Sequence, residues 1–220
     1  MKLKLNTFSK LSTFLLLISR VIPFNNIRCF FYKLAGIEIG KGTFVARDAI
    51  IKKGVKLGKN VEIRSKCYLQ YVRIGDNTVI DMGTLLIGVK NKNFCIGREC
   101  YVGINNILDG SGELEIGDYV HIASPGVGIW THSSIYQVLL CSRIGNNDHR
   151  KEGKVKIGNN IWIGGNVTVY PNIEISDFCI ILPNSVVNKN IPPKFMVGGT
   201  PIKKLKKIEI DNNEIRFIDL

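Results

Sequence analysis

The sequence predicts an all-β fold, a parallel β-helix built from six-residue repeats. Aliphatic residues recur at every sixth position, glycine or asparagine follows them at fixed offsets, and the phase holds through most of the 220 residues. A period of six matches neither the helical repeat of 3.6 nor the strand alternation of two, but it fits a short strand and a sharp corner repeated around a coil. The clearest run lies between Lys156 and Val187, where the repeated aliphatics are Ile157, Ile163, Val169, Ile175, Ile181 and Val187.

The same phase can be followed towards the N-terminus, with short slips. We expect the aliphatic residues to face a shared interior, because branched side chains suit buried strands. They are Ile39, Val45, Ile51, Leu57, Ile63 and Leu69, then Ile74, Ile80 and Leu86, then Ile96, Val102 and Leu108, and finally Ile116 and Ile122. The corners are predicted to need left-handed backbone, which Gly and Asn tolerate; the candidates are Gly158, Gly164, Asn160, Asn166, Asn172 and Asn184.

The phase divides the chain into three parts. Residues 1–35 lack it and form an N-terminal apolar, helical segment; residues 36–190 form the β-helix; and residues 191–220 form a Pro/Gly-rich exit and a tail. A long inserted loop, residues 133–155, interrupts the β-helix, and loops of this length are usually functional or disordered. The tail is expected to form a short helix or a strand that covers the last coil.

The N-terminal segment predicts one helix from about Ser9 to Ile22, between basic residues. It resembles a signal peptide but lacks a small-residue cleavage site, and its uncharged run is shorter than the ~20 residues that cross a bilayer. Two compatible roles follow. The helix caps the open end of the coil, or it makes a peripheral membrane contact through residues 1–24.

The formal net charge of +12 indicates an anionic ligand or a membrane surface. No nucleic-acid-binding module or basic aromatic stripe is present, so nucleic acid is not expected as a partner. The six cysteines form no CxxC pair, which predicts free, mostly buried thiols in a reducing compartment and a cytoplasmic location, at most peripheral at the inner face of the membrane.

His132 is the strongest candidate for a general base among three histidines. It follows a strand-like segment and precedes the long insertion, so it would stand on rigid scaffold at the mouth of a cleft. His121 sits in a regular repeat and is expected to be structural, and His149 in the insertion is either solvated or near an acceptor. The histidine spacings and the cysteines complete no metal cluster, so no metal is expected.

Asn105 and Asn106 are expected about one coil before His132, taking a coil as about 18 residues. An amide there could orient a sugar hydroxyl, although both residues also suit a corner. Asp109-Gly110-Ser111-Gly112 is first of all a turn signal.

Three segments together resemble the hexapeptide-repeat acyltransferases, in particular bacterial O-acetyltransferases of sugars and surface polysaccharides. They are INNILDGSGELEIGDYVHIASPGVGIWTH, KIGNNIWIGGNVTVYPNIEI and VVNKNIPPKFMVGGTPIKKLKK, and the resemblance covers roughly residues 20 to 207. It implies a left-handed β-helix, a homotrimer and acetyl-CoA as acyl donor, bound in a groove between subunits along the later coils.

The resemblance also implies roles for individual residues. The histidine that closes GIWTH, His132, would be the catalytic base, and the active-site asparagine would be Asn105, with Asn106 as its rival. The positions that match family contacts to acetyl-CoA are Gly165, Pro183, Asn188, Lys189, Lys203 and Lys206. Many relatives carry a second histidine or an aspartate soon after the first, whereas this chain reads THSSIYQ, so that role is absent or passes to His149.

The implied function is acetyl transfer to a hydroxyl of a sugar in a bacterial surface polysaccharide (capsule or lipopolysaccharide) or its precursor. Two alternatives stay open: an antibiotic or amino-sugar acetyltransferase of the same fold, and a non-catalytic β-helix scaffold. The scaffold would not need the GIWTH histidine or the lysines near the end of the chain, so acetyl-CoA binding distinguishes it.

Overall fold

The computed structural model describes residues 2–143, 149–212 and 214–220, with side chains from residue 10 onwards. Two helices come first, α1 (Lys2–Ser19) and α2 (Asn25–Leu34). A parallel β-helix of about eight turns follows and forms most of the molecule. The predicted all-β repeat fold is therefore confirmed.

Each turn of the coil contains three short strands. The first four turns are β1 (Glu38–Ile39), β2 (Phe44–Val45), β3 (Ile50–Ile51), β4 (Lys56–Leu57), β5 (Glu62–Ile63), β6 (Tyr68–Gln70), β7 (Arg73–Ile74), β8 (Val79–Ile80), β9 (Leu85–Gly88), β10 (Phe94–Ile96), β11 (Tyr101–Val102) and β12 (Ile107–Gly110). The fifth is β13 (Leu114–Ile116), β14 (Val120–Ile122) and β15 (Gly128–Ile129).

The remaining elements are the insertion, two further full turns and the C-terminal strands. The insertion contains β16 (His132–Ser133), α3 (Ile135–Leu139) and β17 (Lys151–Glu152). The later strands are β18 (Val155–Ile157), β19 (Ile161–Ile163), β20 (Thr168–Val169), β21 (Glu174–Ile175), β22 (Ile180–Ile181), β23 (Val186–Val187), β24 (Phe195–Gly198), β25 (Lys203–Asp211) and β26 (Glu214–Asp219).

Stacking of the turns produces three parallel sheets, which we call A, B and C. Sheet A runs β1-β4-β7-β10-β13-β18-β21, sheet B runs from β2 through β5, β8, β11, β14, β19 and β22 to β24, and sheet C runs β3-β6-β9-β12-β15-β20-β23. The coil is left-handed, as the resemblance implied, although parallel crossovers are right-handed in about 98% of other folds. The chain between a strand of B and the next strand of C is the B–C corner, and that between C and A is the C–A corner.

The predicted aliphatic ladder fills the interior. Every member from Val45 to Val187 is at most 4% exposed, and only Ile39, at the open first turn, is half-buried. Slips in the repeat are absorbed at the corners: Leu57 still pairs with Ile74, one residue early. Strand pairing thus holds the ladder in register even where the repeat length changes.

The corner residues divide into two kinds. Asn160, Asn166, Asn172 and Asn184 have φ between 55° and 63°, so their predicted left-handed conformation is confirmed. The same prediction is wrong for Gly158 and Gly164, which do not have positive φ. A Cβ on Gly158 would lie 2.1 Å from the Asp177 carboxylate, and one on Gly164 would lie 2.6 Å from the Pro183 nitrogen. These two positions require glycine because the next turn approaches too closely to leave room for a Cβ.

The N-terminal segment forms two helices where the sequence predicted one. α1 ends before Pro23, and α2 packs against the first turn through Tyr32 and Arg28, which are 0% and 2% exposed. The Arg28 Nε donates to the Val45 carbonyl at 2.9 Å and Nη1 to the Ile22 carbonyl at 2.7 Å. α2 therefore caps the open end of the coil. Neither described helix combines the length and the apolar character needed to cross a bilayer.

The insertion and the tail are more regular than expected. β16 pairs with β17 in an antiparallel ribbon, with α3 between them in the chain. In the tail, β25 and β26 form an antiparallel hairpin that extends sheet B beyond β24, so the strand alternative is correct.

The ladder predicts where truncation is costly. Ile163→Ala should lower the free energy of unfolding by about 2–5 kcal/mol, because Ile163 is fully buried and the turns cannot collapse around the cavity. Ile215→Ala, at a position that is 60% exposed, is the matched control and should change it by less than about 0.5 kcal/mol. Urea unfolding followed by circular dichroism measures both, and equal midpoints would contradict the ladder as the source of stability.

Candidate active site

His132 stands at the C–A corner, where the chain leaves the fifth turn for the insertion. The corner is held from both sides. Residue Thr131 is fully buried, its hydroxyl accepts from the Gly112 N–H at 2.7 Å, and its carbonyl accepts from the Gly153 N–H at 2.8 Å. In β16, His132 pairs with Glu152 of β17. The backbone that carries the imidazole is therefore fixed by the preceding turn and by the end of the insertion.

Asp109 belongs to the turn below His132 and contacts its ring. The His132 Nδ1 is 2.6 Å from the Asp109 Oδ2, and the Asp109 side chain is only 5% exposed. The same Oδ2 accepts from the Thr131 N–H at 3.0 Å and from the Thr131 hydroxyl at 2.9 Å. The Oδ1 accepts from the Ser111 hydroxyl at 2.6 Å. Both oxygens of the buried carboxyl are thus satisfied.

These donors determine the protonation of Asp109. Burial acts to raise the pKa of its carboxyl, but hydrogen bonds from Ser111, Thr131 and His132 outweigh burial and lower the pKa below its ordinary value. Asp109 is therefore ionised near neutral pH. A carboxylate at this distance is an acceptor only, so the proton on His132 is drawn to Nδ1.

Ser111 and Arg150 complete the cluster. The Ser111 Oγ lies 3.0 Å from the His132 Nδ1, and it accepts a hydrogen bond from the Arg150 Nη2. Arg150 belongs to the insertion, directly before β17, so the insertion adds a positive charge beside the buried carboxylate. Its Nε is buried and has no partner among the described residues.

The arrangement favours one kind of chemistry. With Nδ1 engaged by Asp109, Nε2 is the ring nitrogen available to a substrate, and the His132 side chain is 32% exposed. A neutral imidazole oriented by a carboxylate can accept a proton at Nε2 and return it. This is the geometry of a general base.

The structure places Asn105 at the B–C corner, away from the C–A corner of His132. Asn105 is exposed, has a φ of 55°, and its carbonyl accepts from Gly126, so the expected one-coil relation to His132 is wrong. The turn contains 21 residues here, and the residue one turn below His132 is Ser111. Asn106 is fully buried and bonds to three backbone groups, those of Gly103, Ala123 and Val127. Asn106 is therefore structural.

The predicted acetyl-CoA contacts fall at two corners. Gly165 and Pro183 lie at the B–C corner, and Pro183 and Lys203 line one shallow cavity with Gly198, Thr200 and Leu205. Asn188 and Lys189 are exposed at the C–A corner, two turns after His132. Lys206 forms an ion pair with Asp219 at 3.0 Å. Within one chain, sheet C separates the two groups.

The other candidates lie apart from this cluster. His121 is on the outer face of sheet B, with its ring 4.8 Å from that of Tyr101, and His149 is exposed in the insertion. All six cysteines are free, and burial raises the pKa of Cys67 and of Cys100 to about 11. Among the described residues, no group of His, Cys, Asp and Glu is arranged to hold a metal ion.

Sequence reasoning missed Asp109, Ser111, Thr131 and Arg150 as members of the site. For the first two a signal was present: aligning Leu108 with Ile129 as equivalent ladder residues puts Ser111 below His132 and Asp109 beside it. The assumed turn of about 18 residues concealed this relation. No pattern indicated Arg150, because its position depends on the path of the insertion.

The model of the bacterial transferase hexapeptide (six repeats) family matches residues 154–189. Galactoside O-acetyltransferase of Escherichia coli is 31% identical over 128 residues, which are 58% of this chain and 61% of that protein. A putative acetyltransferase of Saccharomyces cerevisiae is 34% identical over 122 residues, which are 53% of this chain and 57% of that protein. The chain thus covers less than two thirds of either relative.

Solved structures share the fold. UDP-N-acetylglucosamine acyltransferase from Campylobacter jejuni superimposes with a TM-score of 0.62 at 14% identity, covering 78% of this chain and 63% of its own. An N-acyltransferase from Bacillus cereus, solved with dTDP and 3-hydroxybutyryl-CoA, has a TM-score of 0.54 at 22% identity, covering 80% and 85%. Residues 154–189 thus match the bacterial transferase hexapeptide repeat, and the chain is similar in sequence to acetyltransferases and in fold to acyltransferases.

Proposed function

We propose that this protein transfers an acetyl group from acetyl-CoA to a hydroxyl of a sugar in a bacterial surface polysaccharide or its precursor. The observation that carries the proposal is the Asp109–His132 pair, a buried carboxylate 2.6 Å from the Nδ1 of a partly exposed imidazole. The similarity to a galactoside O-acetyltransferase supports a sugar acceptor. The free thiols support a cytoplasmic location.

In the proposed reaction both substrates are bound together. The His132 Nε2 accepts the proton of the acceptor hydroxyl as its oxygen attacks the thioester carbonyl, and Asp109 stabilises the imidazolium that forms. When the tetrahedral intermediate collapses, the carbon–sulfur bond breaks and His132 returns the proton to the CoA thiolate. No enzyme nucleophile is required, in agreement with the buried, high-pKa thiols of Cys67 and Cys100.

We also propose that the working unit is a homotrimer. Gly165, Pro183 and Lys203 lie near one corner, whereas His132, Asn188 and Lys189 lie at another. A groove between two copies would bring the B–C corner of one chain next to the C–A corner of its neighbour. One acetyl-CoA could then contact both groups, and the lysines would neutralise its phosphates.

His132→Ala should lower turnover by about 10²–10⁴-fold while acetyl-CoA still binds, because only the proton acceptor is removed. The measurement is CoA release from acetyl-CoA with a panel of monosaccharides, oligosaccharides, amino sugars and simple alcohols. His121→Ala is the control, a histidine on the same turn that faces away from the site. Wild-type turnover in His132→Ala would refute the base, and a wild-type protein that binds no acetyl-CoA would favour the scaffold alternative.

Asp109→Asn should lower kcat by roughly 10²–10⁴-fold, since an amide in place of the carboxylate no longer fixes the proton on Nδ1 or stabilises the imidazolium. Asp118→Asn removes a surface carboxylate that pairs with Arg98 and should leave kcat unchanged. Steady-state kinetics give kcat, and calorimetric binding of acetyl-CoA checks that the site is intact. If both variants behave alike, Asp109 has no role in orienting the base.

Lys203→Gln should raise the KM for acetyl-CoA by roughly 5- to 50-fold with little change in kcat, because the lost contact is a charge-assisted one to a phosphate that does not react. Lys207→Gln, which removes a lysine that pairs with Glu209, is the control and should leave KM unchanged. KM is measured at saturating acceptor and moderate salt. An unchanged KM in Lys203→Gln would show that the cavity lined by Pro183 is not part of the acetyl-CoA site.

A further inference from the structure

α1 exposes several large apolar side chains to solvent and buries two serines. On the side packed against the protein are Ser12, Leu16 and Ser19; the Ser12 hydroxyl donates to the Ala35 carbonyl and the Ser19 hydroxyl to the Leu16 carbonyl, both at 2.8 Å. On the outer side, Leu11, Phe14 and Leu17, together with Val21 just beyond the helix, are 51–73% exposed. This is the reverse of a helix that faces water.

α2 repeats the inversion. Its inner side buries Arg28, Cys29 and Tyr32. The Arg28 guanidinium donates to the backbone carbonyls of Ile22, Pro23 and Val45 and to the side-chain oxygen of Asn25. Phe24, which precedes the helix, and Ile27, Phe30 and Leu34 within it are 48–68% exposed. Single exposed apolar residues are ordinary, but a run on two adjacent helices marks an interaction surface. We call these eight exposed residues of α1, α2 and their junction the helical apolar surface.

The charge around this surface has one sign. The first 37 residues contain six basic residues and no acidic one, so half of the formal net charge of +12 lies here. Lys10, Arg20 and Lys33 are exposed among the apolar side chains. Residues of this kind on an apolar helix attract a negatively charged partner.

We propose that the helical apolar surface binds the interface of an anionic lipid bilayer, with α1 and α2 lying in the plane of the membrane. A spanning orientation does not fit, because neither described helix is long and apolar enough. A two-fold contact with a second copy fits less well, since it would place Lys10, Arg20 and Lys33 of one copy near the same charges of the other. Membrane binding does not depend on acetyl transfer. If the protein has both activities, membrane binding would hold the enzyme where a lipid-linked sugar acceptor is presented.

The test is flotation of the full chain with phosphatidylcholine vesicles, with and without 30% phosphatidylglycerol. The wild type should float with the anionic vesicles and be released by 0.5 M NaCl, because screening removes the attraction to the surface. Phe14→Glu combined with Phe30→Glu should weaken partitioning at least about ten-fold. Ile215→Glu with Phe217→Glu on the exposed C-terminal hairpin is the matched control and should float like the wild type.

A charge variant gives a second test, which does not require the fold to tolerate the Phe→Glu substitutions. Lys10→Gln with Lys33→Gln should weaken binding to anionic vesicles about five-fold per residue and leave binding to neutral vesicles unchanged. Acetyl transfer to a soluble acceptor should be the same in all these variants, so loss of flotation and loss of activity are read separately.

Three results would overturn the proposal. The first is a wild type that stays in solution with anionic vesicles. The second is a Phe14→Glu/Phe30→Glu variant that floats as well as the wild type. The third is a lower oligomeric mass of that variant, combined with a wild type that does not bind vesicles. The last result would assign the surface to contacts between copies.

Discussion

Hydrogen bonding between successive turns decides which side chains of the coil lie next to one another. Each strand lies on the strand one turn earlier, so a corner residue meets whatever the previous turn places below it. The pairing of Leu108 with Ile129 puts Asp109 and Ser111 under His132. A different register between β12 and β15 would put another residue below the imidazole and leave the carboxylate without its partner.

The same stacking places the residues that stabilise the fold in the interior and the candidate catalytic residues at a corner. An aliphatic ladder lines the interior. The polar cluster of Asp109, Ser111 and His132 lies at a corner, where it receives hydrogen bonds from the turn below, from the corner itself and from the insertion. A buried carboxylate is costly unless it is fully hydrogen-bonded. Asp109 meets that condition, and the lowered pKa of its carboxyl reflects it. The residues that hold the charge in place also prevent the ring of His132 from turning away.

Much of the fold was predictable because the ladder is periodic and local. The left-handed asparagines followed from the same repeat, whereas Gly158 and Gly164 were misinterpreted because their reason lies in the next turn, in Asp177 and Pro183. α2 was missed since it buries an arginine and exposes phenylalanines, against the usual amphipathic pattern. In the site, His132 was found by its position before the insertion. Its partner Asp109 was not, because turns of unequal length break any fixed spacing between corner residues.

The ends of the insertion have a consequence for how related chains could diversify. The segment leaves the coil after Thr131 and returns to it at Gly153. The Gly153 N–H donates to the Thr131 carbonyl at 2.8 Å and so joins the two ends of the segment. The cost of closing a flexible loop grows only slowly with its length. Natural variants could therefore lengthen, shorten or exchange the part of this segment between β16 and β17, and so change the surface beside His132, while the coil and the Asp109–His132 pair stay as they are.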